Sequence, residues 1–132
     1  MVEQARYLSD EWFGLNLRAA SGWPEQPGVD CSVNYEVAGA PDGKVRYHAV
    51  IRDGRLVEMA AGKLADADVS IIYKYADARA EISAGQHPDL AYMSGQMKLE
   101  GDYARWVFGL RPLLDSAEYD AFRSALAEST EF

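Results

Sequence analysis

The residues in this 132-residue chain whose types could do chemistry are two histidines, one cysteine and a few acids placed near turns. Nucleophilic catalysis needs a hydroxyl or thiol beside a base that a third group orients. His48 falls on the polar side of an alternating segment, and His87 precedes Pro88 in a loop, so both read as surface histidines. No Gly-x-Ser-x-Gly turn presents a serine. Cys31 stands alone, which leaves neither an intramolecular disulfide nor a cysteine-built zinc site. The spacings that ligate metals or cradle phosphates are absent, so neither a metal nor a cofactor is expected. Asp66 and Asp68, on either side of Ala67, read as a solvated turn before a strand. One carboxylate stands apart. Glu58 falls on the otherwise apolar face of a hairpin, opposite Ala49, and a carboxylate facing a core has a raised pKa or a partner. The alternative for Glu58 is a place at the sheet rim, reaching water.

Composition narrows the partners. The net charge is −8, with 13 basic against 21 acidic residues, and the basic residues are scattered. Phosphate contacts dominate nucleic-acid affinity and need a basic stripe, so no nucleic-acid partner is expected. The same excess opposes docking onto anionic lipid. No apolar run approaches the roughly 20 residues that span a bilayer, so stable membrane insertion is not expected either. With 48% hydrophobic residues, residues 1–132 are expected to form one globular domain. The first residues lack the basic-then-apolar layout of a secretory signal, and the expected compartment is the cytoplasm.

The elements that position these residues follow from caps and periodicity. Ser9 is an N-cap with Asp10 and Glu11 in the first turn, and Leu8 and Phe13 stand at staple positions around it. A helix therefore starts at Ser9, or earlier near Val2, and stops at Gly22 and Pro24. From Cys31 the period becomes 2, with Cys31, Val33, Tyr35 and Val37 alternating with polar residues. Segments 45–52 and 55–60 flank Asp53-Gly54, a hairpin turn. A two-residue turn there sets Arg52 opposite Arg55, Ile51 opposite Leu56 and Val50 opposite Val57. One face then carries Tyr47, Ala49, Ile51, Leu56 and Glu58, and the other Arg46, His48, Arg52 and Arg55. A fourth strand, 68–74, points Val69, Ile71 and Tyr73 one way. A helix follows Lys74 and ends at Gly85. Pro88 opens a short helix, 96–100 is a short strand, and Asp102 caps a helix that breaks at Pro112. Asp115-Ser116-Ala117-Glu118 is a capping-box pattern that opens the last helix.

Strands gathered early and helices late predict an α+β fold, a sheet covered on one face by helices. The first four strands read as a meander. The fifth, isolated between helices, must return to the sheet, and a crossover with parallel pairing is the expected route. Large adaptable side chains such as Met93, Met97, Trp106 and Phe122 gather late; this pattern reads first as core and second as a pocket wall.

Residues 65–112 resemble the sterol carrier protein type 2 family, the sterol-binding domain. The likeness is carried by Ala67-Asp68-Val69-Ser70-Ile71, by the Pro88 helix start, and most specifically by residues 92–102. There Tyr92-Met93-Ser94-Gly95-Gln96-Met97-Lys98-Leu99-Glu100-Gly101-Asp102 resembles the family's aromatic, Ser-Gly, strand, Gly-Asp/Asn signature. The resemblance implies a stand-alone member with a five-stranded, mostly antiparallel sheet, helices on one face and an apolar cavity between. It also implies non-enzymatic binding or transfer of an apolar small molecule, such as a fatty acyl chain or a sterol. With the strand faces above, Trp12, Phe13, Tyr73, Ile82, Met93, Met97, Trp106, Leu110 and Phe122 are the expected cavity wall, and Glu58 is its polar candidate. Met97 and Leu99 are expected in a central or near-central strand. Where the family has a polar cap and a large residue early in the helix after the fourth strand, this chain has Tyr75 and Ala78, which reshapes the wall. The last helix either covers the cavity mouth or forms a subunit contact. Two other readings stand beside the carrier. One is a dimerising or accessory module for a partner enzyme, carried by Ile72 and Tyr75 if exposed. The other is an enzyme using Glu58, His48 or a nearby tyrosine.

Overall fold

The structure, a computed structural model, describes residues 4–132. A short strand β1 (Ala5–Arg6) precedes helix α1 (Asp10–Ala19). Three strands follow, β2 (Cys31–Ala40), β3 (Gly43–Arg52) and β4 (Arg55–Ala61), then β5 (Val69–Lys74). After them come α2 (Tyr75–Ala84), α3 (Pro88–Met93), β6 (Met97–Gly101), α4 (Arg111–Leu114), α5 (Ala117–Ser129) and β7 (Thr130–Glu131). The main sheet has five strands in the order β4-β3-β2-β5-β6. Only the β2–β5 pair is parallel, and the other three are antiparallel. This is the expected α+β architecture.

Two parts of the expected topology are corrected. The fourth strand does not continue the meander: the chain crosses from the β4 edge to the far side of β2, where β5 pairs in parallel. The 96–100 strand is neither parallel nor central; it forms β6, an edge strand antiparallel to β5, with Tyr73 opposite Met97. The reason is the number of helices between the two strands. One helix carries a chain to the opposite end of a sheet and yields a parallel neighbour. Here α2 and α3 run in succession and bring the chain back to the end where β5 finished. The crossing segment is pinned to β2 by side chains. Asp68 accepts from the Ser32 backbone N–H at 2.9 Å and from its hydroxyl at 3.1 Å, and the Asp68 N–H donates to Ser32 Oγ at 2.9 Å. Buried Asn34 donates to the Leu64 carbonyl at 2.9 Å and accepts from its N–H at 2.8 Å. Asp68 is therefore a structural clamp rather than a solvated turn.

The Asp53-Gly54 hairpin forms with Arg52 opposite Arg55 and Ile51 opposite Leu56, as expected. Beyond that the register shifts, and Val50 faces Glu58. Val57 is the extra residue of a bulge, 53% exposed. Because side chains alternate, one inserted residue moves everything after it to the other face. Glu58 thus leaves the apolar face, and Met59 takes the position opposite Ala49.

Caps fall close to expectation. Ser9 Oγ accepts from the Trp12 N–H at 3.1 Å, and Gly85 ends α2 in the left-handed region at φ 61°. The N-cap of α2 is Lys74, one residue before Tyr75, and that of α5 is Ser116 rather than Asp115. Residues 105–109 make a π-helical turn closed by Leu110 N–H to Arg105 C=O at 3.0 Å; Pro112 sits at the start of α4 instead of breaking a helix. The alternative helix start near Val2 lies outside the described residues. The helix-facing side of the sheet is dry: Val33, Val37 and Ile71 are fully buried, joined by Cys31, Tyr47, Val69, Tyr73 and Met97. Among the described residues no helix is long and apolar enough to cross a membrane.

Candidate ligand pocket

Between the sheet and its helices lies a pocket of about 110 Å³. Its floor is the sheet. Tyr35 on β2 and Tyr47 on β3 are cross-strand neighbours, and their rings stack at 4.7 Å with planes 10° apart. Ala49 and Ile51 extend the floor along β3, Leu56 and Met59 along β4, and Tyr73 along β5. Its roof is helical. Trp12 and Asn16 come from α1, Trp106 and Leu110 from the π-helical turn and its end, and Leu113 and Leu114 from α4. Two helices contribute regular stripes: Ala78, Glu81, Ile82 and Gly85 from α2, and Tyr119, Phe122, Arg123 and Leu126 from α5. Both follow the i, i+3, i+4, i+7 spacing that puts four residues on one helix face. Trp23 closes one end, with its ring 4.9 Å from Phe122 and 5.7 Å from Tyr119. An engineered apolar cavity of about 150 Å³ binds benzene, so this pocket suits a compact apolar group.

The wall carries few polar atoms, and they have particular partners. Glu81 enters on the α2 stripe because Ala78, Ile82 and Gly85 turn that face to the core. Burial pushes its carboxyl up to about 7, against a hydrogen bond with the Tyr73 hydroxyl and the charge of Arg123, which both lower it. The Tyr73 hydroxyl also lies 3.2 Å from the Met97 sulfur. Arg123 donates to the Gly85 carbonyl at 2.7 Å and pairs with Asp120. Its Nε and the indole N–H of Trp23 are buried without a hydrogen-bond partner. Burial also raises the hydroxyl pKa values of Tyr35, Tyr47 and Tyr73, which stay neutral.

Six of the nine expected wall residues meet here: Trp12, Tyr73, Ile82, Trp106, Leu110 and Phe122. Phe13 is buried in the core with its ring 5.2 Å from that of Tyr47, outside the lining. Met97 is buried beside Tyr73 on the edge strand, and Met93 is 82% exposed on α3. Glu58 is on the uncovered face of the sheet, 2.6 Å from Nε2 of His48, whose Nδ1 faces the Gly62 carbonyl at 2.9 Å. That pair fastens β3 to β4 and does not reach the pocket. His87 is also structural: it caps α3 by accepting from the Asp89 N–H and meets the Leu114 carbonyl at 2.9 Å. Cys31 is buried, and its thiol is pushed up to about 12, chiefly by burial. Among the described residues no group of three or more His, Cys, Asp or Glu could hold a metal ion. Sequence reasoning missed Glu81, Arg123 and the stacked Tyr35–Tyr47 pair. The α2 stripe was the available signal, since a glutamate on the same face as Ala78, Ile82 and Gly85 must point inward.

No protein-family model matches the chain, and no curated protein matches it. Solved structures do. Sterol carrier protein 2 is 15% identical, with 94% of this chain and 99% of that chain covered at a TM-score of 0.68. The palmitated sterol-carrier-protein-2-like protein SCP2L2 of Aedes aegypti is 19% identical, covering 82% and 96% of the two chains at a TM-score of 0.58. The inverting sec-alkylsulfatase Pisa1 of Pseudomonas sp. is 25% identical over 81% of this chain, which spans only 16% of the sulfatase, at a TM-score of 0.51. The chain has the sterol carrier protein 2 fold, as residues 65–112 led one to expect.

Proposed function

We propose that residues 1–132 form a single cytoplasmic domain that binds an apolar small molecule non-enzymatically, in the pocket between sheet and helices. The observation that carries this reading is the pocket itself. Aromatic rings from both layers surround about 110 Å³ of space that the core leaves unfilled. Empty space in a core is destabilising, on the order of 24 cal/mol per Å³ in a large-to-small series, so a retained cavity favours an occupant. The fold shared with the palmitated SCP2L2 of Aedes aegypti supports the same reading. A compact apolar ligand should raise the melting temperature by mass action, by the equivalent of about 2.7 kcal/mol at a hundredfold excess over its Kd. Ala78→Phe, at a pocket residue that is 2% exposed, fills the space and should reduce that rise. Thermal scans with graded apolar compounds, together with native mass spectrometry, test this. No shift with any compound and no bound mass would overturn it.

A second reading, an accessory module for a partner enzyme, is favoured by a separate observation. Met93 is 82% and Phe108 67% exposed, and the fold recurs over a small share of the sulfatase chain. Ile72 and Tyr75, both half-buried, give that reading little help. A sedimentation experiment that finds only monomer, alongside ligand binding, leaves the carrier reading in place.

A further inference from the structure

We propose that Trp23 and Arg123 form the polar end of the pocket, a site for an acceptor oxygen, carbonyl or carboxylate, on an otherwise apolar ligand. This inference rests on the carrier reading and names the ligand class that reading leaves open. Both side chains belong to the pocket wall, and each carries a buried N–H with no hydrogen-bond partner: Nε1 of the Trp23 indole and Nε of the Arg123 guanidinium. Trp23 is 4% exposed, so its donor is out of reach of bulk water. Both residues pack on one ring, that of Tyr119, with the indole 5.7 Å and the guanidinium carbon 5.5 Å from its centre. The two donors are thereby gathered at the α5 side of the pocket.

Buried donors are nearly always met, and one left unmet costs the full desolvation of the group. The protein's own acceptors do not meet these two. The Gly85 carbonyl and the Asp120 carboxylate take the terminal nitrogens of Arg123 and leave Nε over. Glu81, on the same wall, bonds with the Tyr73 hydroxyl instead. Asn16 is engaged within α1, on the Trp12 carbonyl. Trp12 shows the ordinary state of an indole in this core, since its N–H donates to the Thr130 hydroxyl. What matches the two free donors is therefore a group that enters the pocket, and it must accept. A carbonyl or carboxylate oxygen does so, whereas an ammonium has donors alone. A hydrocarbon end leaves both N–H groups as they are, and a site built to bond one group discriminates against the analogue that lacks it.

The experiment uses one phenyl body with four ends of similar size: isopropylbenzene, acetophenone, benzoate and α-methylbenzylamine. Affinities are read by calorimetry. The Trp23 indole N–H is followed by NMR, its resonance identified by its loss in Trp23→Phe. Acetophenone or benzoate should move that resonance downfield, and isopropylbenzene should not. Because isopropylbenzene is the most apolar of the four, each affinity is expressed relative to it. Trp23→Phe keeps a ring against Phe122 and removes one donor; Arg123→Met keeps an extended chain and removes the other. Each variant should lower the relative affinity of the acceptor ligand about three- to tenfold, while α-methylbenzylamine loses nothing, a contrast that a general loosening of the pocket does not produce. The larger loss falling on benzoate identifies a carboxylate end, and on acetophenone a neutral carbonyl; either supports the inference. Relative affinities unchanged in both variants, or an indole resonance that neither acceptor moves, would overturn it and leave the carrier reading intact. Failure of all four to bind would overturn both.

Discussion

Replacing Glu81 by glutamine should make the ligand-free protein more stable, and only at neutral to alkaline pH. The ordinary carboxyl value is 4.5, and in the fold burial moves Glu81 to about 7. At low pH, near 4.5 and below, the group is protonated in folded and unfolded chains alike and costs little. As pH rises through the window between these values, the unfolded chain releases its proton while the folded chain keeps it, so stability falls. Above about 7 the penalty is complete. The gap corresponds to at most about 3 kcal/mol, and the solvent-accessible part of the side chain brings the working figure to about 2 kcal/mol. Glutamine preserves the shape, can still meet the Tyr73 hydroxyl and never ionises. Urea titrations at about pH 4 and pH 8.5 should therefore show nearly matched midpoints at the lower pH and a variant more stable by about 2 kcal/mol at the higher one. For a chain of this length that is a rise in Tm of about 7 °C. The same stability difference at both pH values would refute the reasoning, because a packing effect does not titrate.

Three further substitutions probe the frame around the pocket. Gly101→Ala should destabilise by about 2–3 kcal/mol, since Gly101 has φ 93° and a Cβ there would lie 2.6 Å from the Asp68 carbonyl oxygen; unfolding titrations check this, and an unchanged midpoint would refute it. Asp68→Ala should cost about 2 kcal/mol by leaving the Ser32 N–H unpaired at the crossing from β4 to β5, with Asp68→Asn costing less in the same titration. Arg111 grips Asp89 with two nitrogens, at 2.7 and 3.0 Å, and holds its carboxyl below the usual range. Arg111→Lys cannot reproduce that fork, so about 1 kcal/mol should be lost above the range where Asp89 ionises, with faster amide exchange across α3.

Local features were readable from the sequence where one residue decides the matter. Ser9 caps α1, Asp53-Gly54 turns the hairpin and Gly85 stops α2 because each need is met within four residues. The failures have non-local causes. Nothing in 55–60 announces the Val57 bulge, which depends on how β4 lies along β3, yet that one residue moves Glu58 to the other face and into the hands of His48. The antiparallel return of β6 depends on counting helices rather than on measuring the length of the connection. Among the pocket residues, those found in advance are large and apolar. Glu81 went unseen because its charge outweighed its position in a stripe that Ala78, Ile82 and Gly85 define.

The two short strands at the ends of the described chain pair with each other: β1 and β7 run parallel, with Ala5 opposite Thr130 and Arg6 opposite Glu131. Trp12 reinforces the join by donating its indole N–H to the Thr130 hydroxyl at 2.9 Å. This contact closes the largest loop in the molecule, so its entropic penalty in forming is high and it should assemble late in folding. It also brings the two ends of the described residues together. Joining Arg6 to Glu131 by a short linker and reopening the chain at the exposed Pro41-Asp42 turn between β2 and β3 makes the most distant pairing a local one while the five-stranded sheet and the pocket keep their register.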